Sequence, residues 1–256
     1  MTMLLNEQDE SIDPDTRAVA GVPRASARIP LDRDRIVKAA VSFIDAEGLS
    51  GLTMRRLGAS LDVEAMSLYR YVPGREDLLD AVVDHIIDEM YDDVEVVPSP
   101  QNGWQDFLQR LAHGVRRVAL THPKAFPLVA SRPPEAPWLR PPLRSLPWVE
   151  TFLEGLTSEG FDEQNAVAAY RAFTSFLLGH LLLEVASLGA EVGPLDTLDS
   201  GQSEDPDLTD FPMLKKLKGP LSEDHAGAEF EESLENLLDR ISLLRASKQK
   251  PPKTRR

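Results

Sequence analysis

The densest chemistry in this 256-residue chain lies between Thr53 and Arg75, in the stretch LTMRRLGASLDVEAMSLYRYVPGR. It contains Thr53, Arg55, Ala65, Met66, Ser67, Tyr69, Arg70, Tyr71 and Arg75. Guanidinium and hydroxyl donors are interleaved there with small and aromatic groups, and the second half of the stretch offers them no core to fill. Such a set suits a nucleic-acid duplex. An arginine can bond guanine in bidentate fashion, worth roughly 1–3 kcal/mol of base discrimination, and Ala65 or Met66 can touch a thymine methyl. Ser67 can donate to a base or a phosphate. Tyrosines and arginines that clamp phosphates fix register and carry no sequence information. Packing between helices is the competing role for Tyr69 and Tyr71.

These side chains need two short helices joined by a tight turn, the second presented outward, which is the layout of a helix-turn-helix. The pattern predicts a first helix over 32–47, with Asp32 as N-cap, Ile36, Ala39, Ala40, Phe43 and Ile44 at helical spacing, and Gly48 as the stop. A second helix starts at Thr53, Asp62 and Val63 make the turn, a third runs over 64–71, and Pro73 and Gly74 end it. A fourth, over 76–92, carries a broad apolar stripe from Leu78 to Met90 and suits a connector between two bodies. A break at 96–102 marks a boundary. Further helices are expected over 104–121, 146–159, 162–188 and 229–244. The proline-rich passage 123–147 and the acidic stretch 189–222 read as irregular. No strand is expected, so the fold class is all-α: an N-terminal helix-turn-helix domain and a larger C-terminal helical domain. The domains read as an arm over 1–30, a DNA-binding unit over 31–77, a body over 78–245 with 78–93 as its connector, and a basic tail over 246–256.

The formal charge of −14 argues against a general nucleic-acid coat. It is unevenly placed. Residues 24–75 hold nine Lys or Arg against six Asp or Glu, a net +3, which leaves −17 for the rest. A small basic module on an acidic body fits a dedicated DNA reader with weak non-specific binding. The absence of cysteine excludes disulfides and thiolate metal sites. No signal peptide is read at the N-terminus, and no apolar run approaches the ~20 residues of a membrane span, so the expected setting is cytoplasmic, with no membrane partner. There is no GxSxG, no HExxH and no phosphate-binding glycine loop, so the chain does not read as an enzyme.

The residues resemble the tetracycline-repressor (TetR) family of transcription regulators. The likeness rests on Leu52-Thr53-Met54-Arg55-Arg56-Leu57-Gly58, on Leu68-Tyr69-Arg70-Tyr71-Val72 and on Arg75-Glu76-Asp77-Leu78-Leu79-Asp80-Ala81. In the body, Trp104-Gln105-Asp106-Phe107-Leu108, Ser131-Arg132-Pro133, Gly160-Phe161, Asn165-Ala166 and Phe176-Leu177-Leu178-Gly179 look like the tetracycline repressor's own subfamily. The resemblance implies a homodimer paired through helices 162–188 and 229–244. Its partners are a near-palindromic DNA operator and a small-molecule inducer that releases it. It also places Arg55 where relatives reach a base or phosphate, and Tyr69 facing phosphate. Control by a protein partner, and activation in place of repression, stay open.

The implied inducer site is an apolar, aromatic cavity. Its candidates are Phe107, Leu111, Val115, Phe126, Leu128, Trp138, Trp148, Phe173 and Phe176, with Arg132 and His180, and also His113 and Glu184, as polar groups. Core packing is the alternative for each aromatic. The family's metal-holding histidine, just before the Ser/Thr-Arg-Pro turn, is matched here by Leu128, which has no lone pair for Mg²⁺. The expectation is therefore no metal, no cofactor and an inducer more apolar than a tetracycline chelate.

Overall fold

Helix periodicity in the sequence becomes ten helices in the computed structural model, which describes residues 30–93, 95–96, 99–133, 135–141, 145–192 and 207–246. They are α1 Arg33–Glu47, α2 Met54–Ser60, α3 Ala65–Leu68, α4 Arg75–Asp92, α5 Trp104–Thr121, α6 Pro127–Ser131, α7 Leu146–Ser158, α8 Glu163–Ser187, α9 Pro212–Leu221 and α10 Ala226–Ala246. There is no strand among the described residues, and the class is all-α. The expected N-terminal arm, nearly all of the 200–207 part of the stretch read as irregular and nearly all of the basic tail lie outside the described residues.

Local rules set the boundaries of the DNA-proximal helices. The Asp32 carboxylate accepts from Arg35 N at 2.8 Å and caps α1, and Gly48 closes it at φ +81°. Thr53 caps α2 by accepting from Arg56 N at 3.2 Å. Val63 N then donates to Gly58 O at 2.9 Å, and Asp62 takes a left-handed φ of 56° in the turn. Gly58 has to be glycine. A Cβ there would stand 2.9 Å from Val63 O and 3.1 Å from Ala65 N, so α2 and α3 could not approach so closely. Leu57, Leu61, Leu68 and Val72 are buried, as are Ile36, Ala40 and Ile44 of α1, on which α2 packs. The third helix is shorter than the spacing predicts, one regular turn followed by the bonds Tyr71 N to Leu68 O and Val72 N to Leu68 O.

α4 packs on α1, α5 and α6, and so joins the helix-turn-helix to the body. Its buried face runs from Leu78 to Met90. In the body, α8 packs on α5, α7 and α10 around Phe107, Phe152 and Phe173, each fully buried. Gly155 of α7 admits the Phe107 ring, since a Cβ there would sit 2.7 Å from Cε1. Among the described residues one helix, α8, is long and apolar enough to cross a membrane by length and composition (mean hydropathy 1.4), a test that the core helix of a soluble protein also passes. Its Ala166, Ala169, Phe173, Leu177 and Leu181 are buried in the protein, as in a core helix.

Two elements depart from the reading of the sequence. α6 lies in the proline-rich passage and α9 in the stretch read as loop. Both begin with proline at the first helical position, where its missing N–H costs nothing. Proline density therefore marked helix starts as well as breaks. α9 buries none of its residues.

Candidate nucleic-acid interface and ligand cavity

The residues expected to read DNA divide by exposure. Met66 is 72 % exposed, and Tyr69, Arg70, Tyr71 and Arg55 are also exposed. Arg55 and Arg70 make no hydrogen bond or ion pair among the described residues, so their guanidiniums stand available. Ala65 and Ser67 are half-buried at the start of α3. Thr53 is exposed, but its hydroxyl already serves as the α2 cap. Arg75 is half-held, with Nε 3.5 Å from Leu52 O and Nη1 3.7 Å from Glu76. Arg56, next to Arg55, turns the other way. It donates to Gly51 O at 2.9 Å and Glu47 at 3.1 Å, and lies 4.9 Å from the Phe43 ring centroid. The turn thus sends one arginine of the pair outward and spends the other on α1.

Inside the body, a cavity of about 50 Å³ lies between α4, α5, α6, α7 and α8. Ile87 and Met90 of α4, Val115 of α5, Val129 of α6, Trp148 of α7 and Leu177 of α8 line it. Its exposed wall is wholly apolar, and the two hydroxyl-bearing residues beside it are Ser145 and Thr174. Ser145 Oγ accepts from Trp148 N at 3.3 Å. Thr174 is 2 % exposed, and its Oγ1 has no well-formed hydrogen bond, although the Tyr170 hydroxyl is near enough to interact with it. Tyr170 donates to Pro141 O at 3.1 Å, and burial pushes its pKa up to about 12, so the phenol stays neutral.

Of the expected inducer contacts, the structure brings Val115 and Trp148 to this cavity. Phe107, Leu111, Phe126, Leu128 and Phe173 are buried as packing residues. Trp138 is 77 % exposed and borders a separate hollow of about 370 Å³ with Arg140, Val149 and Arg171. Phe176 and His180 lie at the α5–α8–α10 junction, with ring centroids 6.0 and 5.3 Å from Phe230. Glu184 is held there by Arg116 through bonds of 2.5 and 3.1 Å, and His113 meets Glu231 at 3.1 Å. Arg132 faces α4. It bonds Asp80 at 2.6 and 2.8 Å and Glu76 at 2.6 Å. Four polar candidates are thus engaged with protein partners or rings. The lining residues missed in the sequence are Ile87, Met90, Val129, Ser145, Thr174, Leu177 and Leu178. The one available signal was Thr174, a lone hydroxyl on the buried face of α8.

Residues 36–82 match the family described as bacterial regulatory proteins, tetR family, and residues 97–244 match the tetracyclin repressor-like C-terminal domain. The chain belongs to the TetR family. It is a DNA-binding transcriptional regulator, and TetR-family regulators bind operators, form dimers and take small ligands. An HTH-type transcriptional regulator of Saccharopolyspora erythraea is 33% identical over 60% of this chain and 61% of its own length. The HTH-type transcriptional repressor DrrR1 of Streptomyces coeruleorubidus is 28% identical over 88% of this chain and 83% of its own. Among solved structures of the TetR family, ActR from Streptomyces coelicolor in complex with actinorhodin superposes with a TM-score of 0.60. It is 29% identical, covering 83% of this chain and 96% of that one.

Proposed function

We propose that this TetR-family regulator is a repressor released from a near-palindromic operator when a largely apolar, aromatic small molecule enters the body. The observation that carries the reading is the cavity's wall. Ile87 and Met90 belong to the same helix, α4, that supports the helix-turn-helix. Ligand sites for drug-sized molecules span about 300–1,000 Å³. A cavity of about 50 Å³ cannot accept one unless its walls move. Two of its walls are α4 and α6, and Arg132 after α6 is bonded to Glu76 and Asp80 at the start of α4. Filling the cavity therefore displaces the helix that sets the spacing of the two DNA-reading units in a dimer. Because the ligand binds the displaced state better, it shifts the population toward that state and weakens operator binding, typically about 5–150-fold.

The complex of the similar structure ActR with actinorhodin supports a small-molecule ligand in the body. Trp148 supplies a flat wall, and the Ser145 and Thr174 hydroxyls lie behind the apolar lining, within reach of a polar edge once the walls part. Leu128 replaces a metal ligand, so no Mg²⁺ is required. DNA binding rests on Arg55, Met66, Tyr69 and Arg70, with Ser67, Tyr71 and Arg75 beside them, and dimerisation rests on α8 and α10. The test is a gel shift of DNA flanking the protein's own coding region, with and without planar aromatic compounds. The expected result is a retarded complex that such a compound dissolves without added Mg²⁺. A complex indifferent to every aromatic compound, or one dissolved only by tetracycline with Mg²⁺, overturns the inducer assignment.

A further inference from the structure

The C-terminal end of α1 is gripped by two segments of the body. His122, just past α5, is the centre of the first grip. Its Nδ1 lies 2.7 Å from Asp45 Oδ2 of α1 and its Nε2 lies 2.8 Å from Glu89 Oε2 of α4. Beside it, Lys124 Nζ donates to Ala46 O at 3.0 Å, and Ala125 N donates to Asp45 Oδ1 at 3.3 Å. Glu191, beyond α8, forms the second grip by accepting from Ser50 N at 3.3 Å and Ser50 Oγ at 2.8 Å.

An ionised carboxylate only accepts hydrogen bonds, and a neutral imidazole carries only one N–H. The His122 ring faces a carboxylate at each nitrogen, so both bonds exist together only in the imidazolium form. Loss of one proton turns one bond into a lone pair facing an anion. The other charged groups at the junction are Lys38 of α1 and His85 of α4. Lys38 senses Glu89, and His85 Nε2 lies 3.2 Å from Glu89 Oε1. Asp34 raises the Lys38 pKa further, so that cation does not change in the range in which a histidine titrates, and His85 meets only one oxygen of Glu89.

We propose that His122 is a proton-controlled latch between the DNA-reading unit and the body: protonated, it ties α1 and α4 to the α5–α6 turn, and deprotonated, it releases α1 on that side. The hydrogen bond to Asp45, followed by that to Glu89, raises the His122 pKa above 6.5 against the opposing pull of burial. A group whose pKa is raised on folding stabilises the fold fully below its unfolded value, and the effect is lost as pH rises through the folded value. The latch is thus fully closed below 6.5 and opens only as the pH rises through the raised folded-state value of His122.

The test uses the full-length protein in three readouts. In the wild type, the His122 ring resonances should titrate with a midpoint above 6.5. A midpoint at or below that value overturns the latch without any variant. Amide exchange over Asp45–Ser50 should speed up between about pH 6 and about pH 8.5 more than the chemical rate alone dictates. In His122→Gln it should be fast at both, and an identical profile in the two proteins overturns the proposal. Asp45→Asn, which keeps the ring and removes one partner, should lower the His122 midpoint, which keeps the question answerable if the glutamine variant folds poorly. The third readout rests on the DNA-binding reading: the affinity ratio of wild type to His122→Gln for the flanking DNA should change about 5-fold or more across the same interval. A ratio that does not move with pH removes the link to DNA. Absence of any DNA binding would fault the operator assignment and leave the first two readouts to decide the latch.

Discussion

Arg55 and Arg56 are neighbours with opposite fates. A run of two arginines shows that one side of a helix is cationic, but only the position of Glu47, Gly51 and Phe43 decides which arginine is held. The free ones, Arg55 and Arg70, together with Tyr69, are where DNA affinity should be concentrated. Tyr69→Phe and Arg70→Ala are expected to weaken binding on operator and random DNA alike. Each should reduce the slope of log affinity against log salt by about 1. A titration across salt with an unaltered slope would remove them from the phosphate backbone. In the cavity, Thr174 offers a second test. A buried hydroxyl without a good bond costs about 1–3 kcal/mol. Thr174→Val should therefore leave the melting temperature unchanged or raise it, while weakening the response to any inducer with a polar edge. A drop of several degrees would mean that the hydroxyl is already satisfied.

At the level of elements, α1, α4, α5, α7 and α8 were legible because each has an apolar face at helical spacing and at least one cap or stop that a sequence displays. α6 and α9 were not. Each has a proline at its start, and proline in a polar, irregular stretch reads as a loop unless its place in the helix is known. The ligand candidates were harder to separate from the core for a different reason. Leu111, Phe126 and Phe173 are apolar on a core-facing side, and periodicity cannot separate a wall from the packing behind it. Arg132 was recognisable as special, but its target, the acids of α4, is set by how α6 meets α4. The α2–α3 turn is where sequence and geometry coincide most closely. Gly58→Ala drives a methyl against backbone atoms that cannot swing aside. Overpacking of this kind costs about 1–3 kcal/mol. The expected outcome is faster amide exchange in 54–72 and loss of DNA binding, with the melting of the body little altered.

The molecule as a whole is acidic with a small basic unit, so association with DNA must be selective: most of its surface repels phosphate. Selectivity of that sort needs two reading units held at a fixed span, about 34–36 Å apart for successive turns of the duplex. α8 presents Leu183 at 76 % exposure and Gly179 with open space around it, a surface suited to a second copy. Leu183→Glu should shift the protein to monomer in light scattering and abolish the operator complex while leaving the chain folded. A dimer that survives the charge would place the interface elsewhere. α9 carries a related consequence. Isolated helices shorter than about 12–15 residues are marginal in water. This one has 10 residues, a proline in its last turn and no buried side chain. Its order is on loan from whatever surface meets Phe211, Leu214 and Leu221, and dilution should call the loan in: the far-ultraviolet helical signal of a dilute sample will be lower than that of a concentrated one by about one short helix.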